Sequence, residues 1–111
     1  MNIHTLEIDT DSFNAIINGS KNVEIISKDK FNEHNINNHD FIKFTKNNYS
    51  EYVHLQIVRL SHHKNLVNGL KKATLQNVAP HVKSMEETKQ LYNHLNKEVV
   101  NLYFINELIK F

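Results

Sequence analysis

The segment Ile16-Ile17-Asn18-Gly19-Ser20-Lys21-Asn22-Val23-Glu24-Ile25-Ile26 constrains the chain more than any other. An apolar helix end runs into Gly-Ser, and a strand pattern carrying Lys21 and Glu24 follows at once. Gly19 is one of two glycines in the chain. A glycine just past a helix takes the left-handed conformation, which lets the next amides cap the last helical carbonyls. The chain must therefore turn at Gly19 and start a new element immediately. A lysine beside such a cap, followed by a strand carboxylate, suits holding a small polar ligand or a nucleotide. It does not say which.

The rest of the chain alternates in kind. Ile3 to Ile8 predicts a strand, with His4, Leu6 and Ile8 on one face. Asp9, Thr10 and Asp11 are helix-start residues for a stripe of Phe13, Ile16 and Ile17. Lys21 to Ser27 predicts a second strand. Lys28 to Asn38 is polar, anchored by Phe31 and Ile36, and reads as a loop with one helical turn at most. Phe41 to Thr45 and Tyr52 to Leu60 predict a hairpin, with Ile42, Phe44, Val53, Leu55 and Ile57 inward and Asn-rich turn chemistry at 46–48. Leu66, Val67 and Leu70 mark a short helix that contains Gly69. Lys71 to Lys83, with the single proline Pro80, reads as the longest irregular piece. Met85, Leu91, Tyr92 and Leu95 fit a further helix, with Glu86 and Glu87 in its first turn where the helix dipole favours them. Val99 to Phe111 predicts a closing strand. Strands mixed with short helices around a central hairpin predict an α+β fold with a mainly antiparallel sheet.

Composition narrows the function classes. At 111 residues the chain predicts one domain spanning 1–111. It has no cysteine, which excludes disulfides, thiolate zinc sites and cysteine nucleophiles. Its net charge of +1 supplies no global field toward nucleic acid, so such binding needs a local patch. No apolar run reaches the roughly 20 residues that span a bilayer, and the first residues carry no signal-peptide pattern. The expectation is a cytoplasmic protein with no membrane partner.

The order of these pieces resembles the ASCH domains, compact β-barrels of the PUA-like superfamily. The likeness covers nearly the whole chain. It rests on the family's Gly-x-Lys-x-x-Glu, here Gly19, Lys21 and Glu24. An aspartate opens the next strand, here Asp40. A leucine plus histidine segment precedes a short helix, here Leu60-Ser61-His62-His63-Lys64. A charged helix and a closing strand follow. The resemblance implies a small, mainly antiparallel PUA-like barrel with two or three flanking helices, and a ligand pocket at Lys21 and Glu24. It also departs from the family pattern. Ile26 stands where arginine is common, His39 where glycine is usual, and Asn22 where threonine is usual. Some small ASCH proteins deacetylate N4-acetylcytidine with a similar lysine and a threonine at the position of Glu24. A carboxylate there would give a mixed anhydride and need different activation.

The candidate ligand-binding residues are Lys21, Glu24, Asp40, Arg59, His62, His63 and Lys64. Lys21 and Glu24, three apart on a strand, should point to opposite faces unless the strand bends. Arg59, His62, His63 and Lys64 suit a phosphate better than a metal, because adjacent strand histidines diverge. Their plainer role is a polar corner between strand and helix. Tyr49 and Tyr52 could stack bases, and Lys71, Lys72, Lys83 and His81 could lie along an RNA backbone. No metal site and no cofactor is expected. Three functional readings follow: a non-catalytic domain that binds RNA or a nucleotide-like ligand, a hydrolase of a modified nucleoside using Lys21 and Glu24, or a protein-interaction or phage-type inhibitor domain on the same fold.

Overall fold

A computed structural model describes residues 2–46, 51–95 and 97–104. Among them the strands are β1 (Ile3–Glu7), β2 (Val23–Ser27), β3 (Phe41–Thr45), β4 (Tyr52–His63) and β5 (Val99–Phe104). The helices are α1 (Thr10–Ile17), α2 (Lys28–His34), α3 (Leu66–Ala73), α4 (Leu75–Val78) and α5 (Met85–Leu91). One five-stranded sheet runs in the order β1-β3-β4-β5-β2. Only β1–β3 is parallel, and the sheet curls into a half-barrel. The α+β, mainly antiparallel expectation holds, with five described helices where two or three were expected. No described helix is long and apolar enough to cross a membrane.

The extra helices come from two segments expected to be irregular. Within 28–38, Ser27 ends β2 and at once caps α2 by accepting from the Lys30 amide at 3.0 Å. Asn35 closes that helix in the left-handed region at φ 54°. Good caps at both ends let a polar stretch with Phe31 as its packed residue form two helical turns. Within 71–83, α3 extends to Ala73 and α4 follows, because Leu75 and Val78 pack under the sheet. Gly69, unusual inside a helix, lets α3 lie close against β5. A Cβ at Gly69 would stand 3.0 Å from Asn101 Oδ1 and 3.1 Å from Val99 Cγ2.

Register defines two faces. Directly paired residues of neighbouring strands share a face. Ile42 pairs with Leu55, and Phe44 with Val53. Their face continues through Leu102, Val100 and Ile26 and holds the main core with Phe13 and Ile16 of α1. The opposite face of β2 and β5 carries Val23, Ile25 and Val99, which pack on α3, α4 and Tyr92. Both sides of β5 are therefore covered, and Val99, Val100, Asn101 and Leu102 are all fully buried. The pairing shifts between Ile57 and Arg59, so Val58 is an extra residue at a bulge. After the bulge the alternation inverts. Leu60 and His62 face inward, while Arg59, Ser61 and His63 face outward.

Candidate functional site

The site begins at the end of α1. Asn18 is its C-cap, and Gly19 follows at φ +83°. The Gly19 amide donates to Ile16 O at 3.1 Å and the Ser20 amide to Ala15 O at 3.0 Å, the paired bonds of a Schellman cap. Lys21 N also donates to Ala15 O at 3.0 Å. Strand β2 starts only at Val23, so Lys21 lies in the connector and is free of strand alternation. This corrects the expectation that Lys21 begins the strand and points away from Glu24. Its Nζ is 3.3 Å from Glu24 Oε1.

Lys21 has no solvent exposure. Its ammonium donates to Val23 O at 2.8 Å and to Val78 O, and it lies 3.3 Å from Tyr92 OH. An ammonium has three protons, so these four oxygens saturate it. Burial pulls its pKa below the ordinary lysine value, and the Glu24 carboxylate pushes back. Glu24 Oε1 accepts from the Ile25 amide at 2.9 Å and from the Tyr92 hydroxyl. Burial and the nearby Glu24 charge raise the Tyr92 phenol well above the ordinary tyrosine value, so it stays a proton donor. All of these bonds fall on Oε1. Oε2 makes no hydrogen bond among the described residues.

Glu24 projects from the inner face of β2, an edge strand; β1 is the other edge. Between these unpaired edges lies a cavity of about 340 Å³. Leu6, Ile8, Ile26, Leu91 and Leu95 supply apolar walls, and the polar groups include Glu24, Glu7, Asp9, Ser12, Lys30, Tyr92 and His94. Sequence reasoning missed Tyr92, Ser12, Lys30 and His94. The sequence places Tyr92 on the apolar stripe of a helix; α5 instead ends at Leu91, the Tyr92 ring packs with Val23, Ile25 and Val99, and its hydroxyl reaches Glu24. Ser12 sits in the turn capped by Asp9, whose carboxylate accepts from the Ser12 amide at 3.1 Å.

The other candidates stand elsewhere. Asp40 is buried and binds His4 Nε2 at 2.8 Å, the Asn37 amide at 2.9 Å and the Asn2 amide at 3.4 Å. Burial pushes its pKa up, but these donors outweigh it and hold the carboxyl below the usual range. It ties β1 to the turn before β3. His62 faces Lys28 Nζ at 3.1 Å and the edge of Phe31. Arg59 stacks on Tyr103, His63 bonds Ser61, and Lys64 is exposed. None of these four lines the cavity. Tyr52 is exposed beneath Lys43, while Tyr49 lies outside the described residues. The exposed groups Asp9, Asp11 and His81 bring ligand atoms within 4.8 Å of one another. They crowd the positive end of α1, where a cation is disfavoured.

No protein-family profile matches the sequence, and no curated protein matches it. Solved structures do. A hypothetical protein designated PH0355 superposes with a TM-score of 0.78 at 22% identity, over 98% of this chain and 100% of its own. The ASCH domain of Lactobacillus crispatus JV V101 superposes with a TM-score of 0.70 at 10% identity, over 94% and 79%. A mutant form of ZmASCH from Zymomonas mobilis gives 0.69 at 11% identity, over 98% and 72%. At these identities the likeness is one of fold. The chain has an ASCH-type, PUA-like fold.

Proposed function

We propose, proceeding from the ASCH-type fold, that this protein binds a nucleoside-like ligand, free or as a residue of RNA, in the cavity between β1 and β2. The observation that carries the reading is the Glu24 carboxylate. Three donors lock its Oε1, and its second oxygen is left for a ligand at a cavity wall. A carboxylate oxygen only accepts, so it selects an N–H donor edge, as an amino or imino group of a base provides. Leu6, Ile8, Ile26 and Leu91 offer apolar surface to the ring. About 340 Å³ lies at the small end of ligand sites, which suits one nucleoside. Phosphate fits this depth poorly, because three carboxylates, Glu24, Asp9 and Glu7, line it against one lysine, Lys30, and one histidine, His94, while Lys21 is sealed beneath.

Binding without turnover is the form of the reading that the chemistry favours. Lys21 has no exposed surface and four oxygen neighbours, so it positions Glu24 and does not touch a ligand. Glu24 offers no hydroxyl for acyl transfer. Titration of a labelled sample with the four nucleosides and N4-acetylcytidine tests the proposal. At least one ligand should shift the amides of Ser12, Glu24 to Ile26 and Tyr92, and Glu24→Gln should weaken it by about tenfold, the scale of one charge-assisted hydrogen bond. Absence of any saturable shift in the cavity would overturn the binding reading. Turnover of N4-acetylcytidine that disappears in Glu24→Gln would replace it with the hydrolase reading.

A further inference from the structure

The bulge at Val58 turns Arg59, Ser61 and His63 onto the outer face of β4, opposite to Glu24. There Arg59 pairs in register with Tyr103, and its guanidinium lies 4.1 Å from the Tyr103 ring centroid. Stacking fixes the plane of the guanidinium and leaves edge N–H groups for an oxyanion. The Tyr103 hydroxyl is 3.4 Å from Ser61 Oγ and 3.3 Å from Asn101 Nδ2, and Ser61 Oγ is 2.8 Å from His63 Nε2. Helix α3 packs on this side of the sheet, against β4 and β5, and its exposed Lys72 adds a second cation there. Neither Arg59 nor Lys72 makes an ion pair among the described residues. Unpaired cations beside convergent hydroxyls are the chemistry of an anion site.

We propose that Arg59, Ser61, His63, Lys72 and Tyr103 form a phosphate-binding site on the outer face of the sheet, separate from the cavity. The site takes a phosphate oxyanion, either of a free nucleotide or of an RNA backbone. Arg59 supplies paired donors, Lys72 supplies charge, and Ser61 and Tyr103 supply hydroxyls. His62, although adjacent in sequence, takes no part, because the inverted alternation sends it to Lys28. The proposal does not depend on what occupies the cavity.

The test is an amide-shift titration of the whole chain at low salt with inorganic phosphate, a mononucleotide and a short single-stranded RNA. The expected result is saturable shifts at Arg59 to His63, Lys72 and Tyr103 with inorganic phosphate. The double variant Arg59→Gln/Lys72→Gln should lose at least tenfold in affinity, and Tyr103→Phe should lose a few-fold with its ring retained. Far-ultraviolet circular dichroism confirms that each variant is folded. If the RNA binds far tighter than phosphate, and each cation removed lowers the salt slope by about one, the source is a nucleic-acid backbone. If the mononucleotide binds as tightly as the RNA, the source is a free nucleotide. No saturable shift with any of the three, or shifts that persist in the double variant, would overturn the site. Glu24→Gln should leave phosphate binding unchanged, and a free nucleoside should leave the outer face unshifted, so failure here and failure of the cavity reading are distinct.

Discussion

Replacing Lys21 with methionine is the most demanding test of the buried centre. Methionine keeps most of the stem and removes the ammonium. Val23 O and Val78 O then lose a donor in a site without solvent, at about 1–3 kcal/mol for each unsatisfied group. Glu24 loses its counter-charge but keeps the Ile25 amide and the Tyr92 hydroxyl, which moderates its share. Together these losses match the roughly 3–5 kcal/mol typical of breaking a buried pair from one side. For a chain of this size that is a fall in Tm of roughly 12–20 °C, or about 2 M in the urea midpoint. Urea unfolding followed by circular dichroism measures it. The double variant Lys21→Met/Glu24→Gln should recover part of the loss, because the amide oxygen still accepts from Ile25 and Tyr92 without carrying a buried charge. A single variant within about 1 kcal/mol of the parent, or a double variant no better than the single, would refute the claim that Lys21 and Glu24 act as one buried unit.

Four further outcomes are expected. Gly69→Ala should lower the melting temperature despite the better helix propensity of alanine, because the new Cβ meets Asn101 Oδ1 at 3.0 Å and Asn101 is held by its bond to Gly69 O. Gly19→Ala should cost about 1–2 kcal/mol from backbone strain alone, since no atom lies within 4 Å of its Cβ, and Gly19→Asn should cost less; thermal melts of the pair decide. Leu55→Asp should cost at least about 4 kcal/mol, because it places an unpaired charge in a fully buried position, and an unchanged melt would contradict the register of β3 and β4. Asp40 has a folded-state pKa below its ordinary 3.8, so its stabilisation is present above that value and is lost as pH falls through the folded one. Asp9 is lowered in the same direction, so Asp40→Asn should make the acid loss of stability shallower without abolishing it, as melting at a series of acid pH values would show.

The strand patterns of β1, β3 and the first half of β4 were legible in the sequence because period-two alternation marks a sheet with one covered face. The same was true of α1, where Asp9 opens the helix and Gly19 ends it through short-range bonds that depend on local chain geometry. α2 and α4 were not legible, since their apolar residues are too few to show a period and their caps and packing decide them. β5 looked alternating but is buried on both sides, which depends on where α3 and α4 come to rest. The resemblance marked Lys21 and Glu24, yet their contact rests on β2 starting at Val23, and Tyr92 joins them from 68 residues away. Likewise strand alternation parts Arg59 and His63 from His62, but which face each takes is set by one extra residue at Val58. Local bonds and side-chain periods are written in neighbouring residues. Which polar groups converge depends on register, bulges and burial, and these are settled only when distant segments pack together.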